Sequence, residues 1–127
     1  MILHTHTGGP FLTNGYVLEL ENRECIVIDA PGDITFFLKE KGLKPTHLLL
    51  THQHFDHVEE ASLLAEAGAR VIAWTNYAPE VIMEKRIQEM GVPVSIQPYT
   101  VDESLEGKTS LEIAGLNFAI AHVPGHS

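Results

Sequence analysis

The chain is poor in cysteine, in basic side chains and in long apolar runs. Its 127 residues contain one cysteine, which cannot form a disulfide within the chain, so nothing indicates an oxidising compartment. Eight basic against seventeen acidic side chains give a formal charge of −9, which argues against nucleic acid or an anionic membrane surface as a partner. The longest aliphatic run, Leu48 to Leu50, is too short to span a bilayer, and no signal peptide is visible at residues 1–6. We therefore expect one soluble, cytoplasmic domain over residues 1–127.

The hydrophobic pattern predicts strands and helices in alternation. Hydrophobic residues make up 44% of the chain and charged residues 20%, which is typical of a folded globular domain. In chain order the pattern predicts a hairpin at 16–29, a helix at 34–41 capped by Asp33 and Gly42, a strand at 47–51, a helix at 58–67, a strand at 71–74, a helix at 79–90 and a hairpin at 111–120. This order indicates an α/β or α+β layered architecture, with helices packed on a mixed sheet.

Histidine, in contrast, is abundant and clustered. Of eight histidines, three lie within six positions, at His52, His54 and His57, and Asp56 lies among them. Residues two apart in an extended segment point to the same side, so His52 and His54 can converge on one ion. Imidazole and carboxylate groups are zinc ligands, and Asp56 with His57 could hold a second ion beside the first. The cluster therefore favours a metal site over a histidine-rich surface loop.

The other histidines, taken singly, favour structural roles. We expect His4, His6 and His47 to be strand or surface residues, and His122 to pack in phase with the last strand. Cys25 lies in a predicted strand and is expected to be a buried, inert thiol.

Three sequence segments resemble the metallo-β-lactamase-fold hydrolases. The run Thr51 to His57, THQHFDH, matches the family signature HxHxDH; Ile28 to Gly32 resembles its IDPG segment, and His122 to Ser127 resembles its HTPGHS segment. The opening Gly-Gly-Pro-Phe, residues 8–11, is also similar to the first strands of the family. The nearest group is the glyoxalase II-like thioesterases. The resemblance implies an αββα sandwich, of which this chain would hold only the N-terminal half.

The resemblance also implies a role for each site residue. It implies that the first metal is bound by His52, His54 and His126, and the second by Asp56 and His57. Asp29 would orient the ligands without binding metal, and Asp56 would also act in catalysis by steering the nucleophile or accepting a proton. The cofactor would be one or two zinc ions, with iron or manganese as alternatives.

The chain departs from the family pattern in two places. Glu59 and Glu60 stand where the family often has two glycines, which adds charge and bulk beside the site and leaves the substrate class open. In addition, the bridging aspartate and the further histidine that the family places after the PGHS turn have no counterpart up to Ser127.

Three functional hypotheses remain open at this point. The first is a metal-dependent hydrolase of thioesters or related esters that uses a metal-bound hydroxide. The second is a mononuclear iron enzyme similar to persulfide dioxygenases, because imidazole and carboxylate suit iron as well as zinc. The third is a metal-binding half-domain with little or no activity. The partner would be a small-molecule substrate in the first two cases.

A half-sandwich would leave one sheet face uncovered. We expect that face to carry Leu18, Leu20, Ile28 and Phe118, and a second copy of the chain to cover it in a homodimer.

Overall fold

The computed structural model describes residues 2–51, 53–75, 88–91 and 96–120, and within these ranges the chain forms a mixed sheet, a separate hairpin and short helices. The elements are β1 (Ile2–Gly8), β2 (Thr13–Glu19), a 3₁₀ turn (Glu21–Arg23), β3 (Glu24–Ile28), α1 (Ile34–Lys41), β4 (Lys44–Leu49), α2 (Phe55–Val58), α3 (Ala61–Glu66), β5 (Arg70–Ala73), β6 (Glu103–Ser104), β7 (Ser110–Ile113) and β8 (Leu116–Ala119). None of the described helices is long and apolar enough to cross a membrane.

Six strands form one sheet in the same order as in the sequence, from β1 to β6. β2 runs antiparallel to both of its neighbours, β1 and β3, with Leu18 of β2 opposite Ile26 of β3. β3, β4, β5 and β6 then run parallel. Parallel strands are covered on both faces, which explains why β4 and β5 lack a polar alternation. The carboxyl ends of β3 and β4 therefore meet at one edge, where Asp29 and Thr51 lie.

The helices cover one face of the sheet. Alternate strand residues, including Val27, Leu48 and Val71, form a buried cluster with Leu38 of α1 and Leu64 of α3. Successive residues on a strand point to opposite faces, so their neighbours Ile26, Leu49 and Ile72 lie on the other side. Cys25 lies on the helix side, fully buried, and burial followed by the charge of Glu19 raises the pKa of its thiol to about 12. This agrees with the expected inert thiol.

The β7–β8 hairpin packs on the second face. Leu111 and Ile113 of β7 are buried against Ile26 and Ile72, and Leu18, Leu20, Leu116, Phe118 and Ile120 pack around them. The expectation that Leu18, Leu20 and Phe118 lack a partner is therefore wrong, because the sheet and the hairpin cover each other. The exposed part of this face lies on the antiparallel strands β1 and β2, where Leu3 is 61% and Tyr16 37% exposed.

Several predicted boundaries hold and others shift. α1 spans the predicted residues and ends at Gly42, whose positive φ lets its amide bond the last carbonyls of the helix. The predicted helix at 58–67 is instead split into α2 and α3, with Glu59 and Glu60 between them. The predicted helix at 79–90 lies mostly outside the described residues.

Asp33 occupies the N-cap position of α1, as predicted, but its side chain does not cap the helix. It adopts a left-handed conformation with φ +68°, and its side chain makes no capping hydrogen bond. The carboxylate of Glu60 accepts hydrogen bonds from the backbone amides of Asp33 and Thr35 and from the Thr35 hydroxyl. A carboxylate at a helix start satisfies free amides and complements the helix dipole. Here that carboxylate comes from a residue far along the chain.

Candidate metal centre

A buried carboxylate joins the end of β3 to the histidine-rich loop. The Asp29 side chain accepts the backbone amide of Thr51 at 2.8 Å, the Thr51 hydroxyl at 2.6 Å and His57 Nδ1 at 2.8 Å. Asp29 is 3% exposed, and its own amide donates to the Leu49 carbonyl. Its φ of +66° is a conformation that aspartate tolerates better than most residues. Asp29 therefore fixes where the loop leaves the sheet.

The His57 ring is held in a defined orientation. Its backbone carbonyl accepts a hydrogen bond from the Ala30 amide, while its Nδ1 faces Asp29. Its Nε2 lies 3.4 Å from Asp56 Oδ2, an oxygen that also accepts the Thr13 hydroxyl at 2.7 Å. Burial lowers the pKa of His57, but the hydrogen bond and charge of Asp29 and the charge of Asp56 outweigh it, so the pKa is raised.

This arrangement fits a divalent metal ion. Because a carboxylate only accepts, Nδ1 donates to Asp29, and in the neutral ring Nε2, which lies 3.4 Å from Asp56 Oδ2, is then the acceptor nitrogen. An imidazole nitrogen and a carboxylate oxygen are both ligand types of a divalent ion. A carboxylate on the far ring nitrogen is the usual partner of a metal-binding histidine. Asp56 and His57 are therefore the described residues that would hold an ion here.

The remaining predicted ligands are only partly within the described structure. His54 immediately precedes α2 and its carbonyl accepts the His57 amide, which places it on the same loop. His52, His122 and His126 lie outside the described residues. Across the described ranges, no three histidine, cysteine, aspartate or glutamate side chains are gathered so as to hold an ion. The full ligand set of His52, His54, His126, Asp56 and His57 thus stays a prediction.

The other histidines make structural contacts. His4 Nε2 lies 2.9 Å from a Glu19 carboxylate oxygen, and His6 Nε2 donates to the Gly32 carbonyl at 2.8 Å. His47 contacts the Thr46 hydroxyl in β4. These contacts agree with the structural roles expected of all three.

The two glutamates after the signature have different surroundings. Glu60 caps α1, as described above. Glu59 lies against the β1–β2 turn, where a Cβ on Gly9 would come within 2.2 Å of Glu59 Oε1 and would be strained by the φ of +77°. Among the described residues, Glu59 Oε1 is buried without a hydrogen-bond partner. Burial, followed by the charges of Asp56, Glu60 and Asp33, raises the pKa of Glu59 to about 7. The expected extra bulk beside the site is therefore absorbed by glycine in the facing turn.

Sequence patterns missed several residues that support the loop. Thr13 bonds Asp56, and Phe11 packs edge-on against the buried Phe55 with ring centroids 4.9 Å apart. Gln53, between two predicted ligands, is buried and bonds Tyr99 and the Thr75 carbonyl. Only the position of Gln53 inside the signature could have pointed to it, because its partners lie 22 and 46 residues away.

Comparison with known proteins agrees with the resemblance in the sequence. The family model described as "Metallo-beta-lactamase superfamily" matches residues 8–127. The chain is 29% identical to the "Probable metallo-hydrolase YqgX" of Bacillus subtilis over 94% of its own length and 58% of that protein. It is 32% identical to the "Hydroxyacylglutathione hydrolase" of Pseudomonas paraeruginosa, over 93% of this chain and 41% of that protein.

Solved structures show the same fold. The crystal structure of BLEG-1 B3 metallo-beta-lactamase superposes with a TM-score of 0.83 at 30% identity, covering 99% of this chain and 63% of that one. TTHA1623 in a di-iron-bound form gives a TM-score of 0.70 at 27% identity, covering 98% and 62%. The chain thus spans 41% to 63% of the length of these four proteins.

Proposed function

The chain belongs to the metallo-β-lactamase superfamily, and from this premise we propose that it is the metal-binding part of a hydrolase that cleaves thioesters or related esters. The observation that carries the proposal is the Asp29–His57–Asp56 arrangement, in which one imidazole nitrogen is fixed by a buried carboxylate and the other faces a second carboxylate.

Each residue of the site would have a separate role. Asp29 accepts from His57 Nδ1, so that His57 would present its Nε2 to an ion. Asp56 would bind the ion through one carboxylate oxygen and could accept a proton from the attacking water. The Thr13 hydroxyl orients that carboxylate by donating to Oδ2. When bound, a divalent ion supplies an activated water at neutral pH and polarises the acyl carbonyl. Zinc, iron and manganese all suit imidazole and carboxylate ligands.

The thioester as substrate is supported by the curated relatives. Several of the proteins that match at 30–32% identity carry the name "Hydroxyacylglutathione hydrolase". Glu59 and Glu60 do not argue against this substrate class, because Glu60 caps α1 and Glu59 packs on Gly9. An iron enzyme acting on persulfides uses the same ligand types and is the alternative within enzymes.

A second candidate function is favoured by the partial coverage of the relatives. The matched part of the hydroxyacylglutathione hydrolases is 41% of their length, so the 127 residues could bind metal and turn over substrate only weakly. The two candidates differ in the rate at which the 127-residue chain would hydrolyse a thioester.

Thiol release from a hydroxyacyl-glutathione thioester would test the proposal. The chain would be loaded with zinc, iron or manganese in separate samples, alongside a metal-free sample. We expect thiol release that needs metal and is lost in His57→Ala but kept in His47→Ala. Metal binding without measurable release would favour the second candidate. Absence of metal binding in the unmodified chain would overturn both candidates.

We also propose that a second copy of the chain covers the exposed edge of the sheet. Leu3 of β1, which is 61% exposed, and Tyr16 of β2, which is 37% exposed, lie on the same face at the β1 end of the described sheet, where they form an apolar patch that the hairpin does not bury. Light scattering over a dilution series should show a dimer that Leu3→Lys dissociates. The matched control is Leu63→Lys, at an exposed leucine on α3. A monomer at all concentrations would overturn this proposal.

A further inference from the structure

Gln53 is a buried polar residue inside the metal-binding signature. In the sequence it stands between His52 and His54, and its side chain is 4% exposed. Its amide Nε2 donates to the Thr75 carbonyl at 2.9 Å, and its Oε1 accepts the Tyr99 hydroxyl at 2.6 Å. The carbonyl of Thr75 can only accept, so the orientation of the amide group is fixed. Gln53 thus connects the loop to two other segments.

Both partners of Gln53 belong to well-anchored backbone. Thr75 follows β5, one of the central parallel strands. Tyr99 is 6% exposed, and its ring lies in the apolar cluster on the helix side. The segment after Tyr99 is fixed in turn, because Asp102 exchanges two hydrogen bonds of 2.8 Å with the backbone of Val71. The loop is therefore tied to the segments that follow β5 and precede β6, which are themselves bonded to the sheet or packed on it.

The chemistry of Gln53 argues for a positioning role. Burying an amide is costly unless all its groups are bonded, and an apolar side chain of similar length would fill the same space. The two bonds of Gln53 hold the backbone next to His54, a predicted metal ligand. A small displacement of ligands weakens metal binding, because coordination distances and angles tolerate little change.

We propose that Gln53 and Tyr99 are positioning residues for the metal site. Through the Tyr99–Gln53–Thr75 hydrogen bonds they fix the backbone of Gln53 and His54, from which a predicted metal ligand projects, and so set how tightly the loop binds an ion. This inference rests on the proposed function, since it requires that the loop binds metal. It adds two residues that the signature and its ligand types do not specify.

Cobalt binding would test the proposal without any enzymatic assay. Tyr99→Phe removes only the hydroxyl, and Gln53→Met keeps the length of the side chain but neither hydrogen bond. Groups that orient metal ligands usually change metal affinity by about 10- to 100-fold. We expect each variant to raise the Kd for Co²⁺ about tenfold and to change the visible absorption spectrum, which reports the ligand geometry. The Kd of the double variant should be about that of the weaker-binding single variant, because both substitutions remove the hydrogen bond between Tyr99 and Gln53.

Two control variants separate positioning from general destabilisation. Tyr16→Phe removes a hydroxyl from an exposed tyrosine on β2. Ile113→Val deletes a buried methylene in the hairpin cluster, away from the loop. Both should keep the Kd and the spectrum of the unmodified protein, even where Ile113→Val lowers the midpoint of unfolding of the metal-free chain.

The outcomes distinguish this proposal from the proposed function. If the unmodified chain binds Co²⁺ and both Tyr99→Phe and Gln53→Met bind it with unchanged Kd and spectrum, the positioning role is overturned and the metal site stands. If the unmodified chain does not bind Co²⁺, the metal site itself is overturned, and the positioning role with it. Should Tyr99→Phe fail to fold, Gln53→Met gives the same test from the other side of the bond.

Discussion

Two carboxylates organise two polar regions of this molecule, and they differ in burial. Asp29 lies at the end of β3 with a side chain that is 4% exposed, and it accepts three hydrogen bonds from the loop. Glu103 lies on the short edge strand β6 with a side chain that is 25% exposed, and it pairs with Arg70 and Lys108. Glu103 has two cationic partners, whereas the described partners of Asp29 include no permanently charged group. Buried hydrogen bonds therefore hold the described part of the candidate site, and exposed ion pairs hold the region around Glu103.

Replacing each carboxylate by alanine would test this comparison most directly. Asp29→Ala removes the buried acceptor of the Thr51 amide, the Thr51 hydroxyl and His57 Nδ1, which should lower the free energy of unfolding by roughly 3 kcal/mol. Glu103→Ala removes exposed ion pairs and should cost less than about 1 kcal/mol. Denaturant unfolding of the metal-free variants measures both. Asp29→Asn, which keeps a tolerated residue at positive φ, should fall between them; equal losses at Asp29 and Glu103 would contradict the comparison.

The histidines of the two regions provide the second test. His54 lies on the loop that Asp29 holds, whereas the pKa of His47 responds to the charges of Arg70 and Glu103 in the other region. His54→Ala should reduce the metal affinity at least about tenfold, because it removes a predicted ligand. His47→Ala should leave the metal content unchanged. Elemental analysis after dialysis measures both variants, and equal metal content in the two would count against the ligand assignment.

The pH dependence of stability gives the third and smallest effect. Burial, and next the charge of Arg70, lower the pKa of His47 below 6.5, while Glu103 acts in the opposite direction. The unfolded chain therefore binds a proton at His47 more readily, so this residue costs stability as the pH falls through 6.5 toward its folded-state pKa. His47→Gln should reduce the loss of stability between about pH 7 and pH 5, measured by denaturant unfolding.

The same comparison can be sharpened by removing Glu103. Glu103→Ala takes away a charge that raises the pKa of His47, so the loss of stability on acidification should be larger than in the unmodified chain. An identical pH profile in His47→Gln and the unmodified chain would show that His47 does not contribute.

Much of the fold could be predicted from the sequence because it depends on local patterns. The hairpin of β2 and β3, the helix α1 with its end at Gly42, and the β7–β8 hairpin follow from periodicity and turn residues. The resemblance gave Asp29 the role of orienting metal ligands without naming its partner, and in the structure that partner is His57, a predicted ligand.

The features that could not be predicted join residues far apart in the sequence. Glu60 caps a helix that begins 26 positions earlier, and Tyr99 bonds Gln53 across 46 positions. Neither pair leaves a periodic signal, because each depends on how separate elements dock. Asp33 illustrates the error that results: it has the usual chemistry of a helix cap, but the carboxylate from the α2–α3 junction takes that role.

The capping of α1 by Glu60 has a consequence for the order in which the chain gains structure. The amide of Thr35 donates to Glu60 Oε1 at 2.9 Å, so this bond requires the α2–α3 junction to lie against α1. We therefore expect the first turn of α1 to be complete only when the loop before α2 is also in place, although the hydrophobic stripe of the helix is local. In hydrogen–deuterium exchange, we expect the Thr35 amide to exchange at the same rate as the amides of the histidine-rich loop. An ion that binds and stabilises the loop should therefore also slow the exchange of the Thr35 amide.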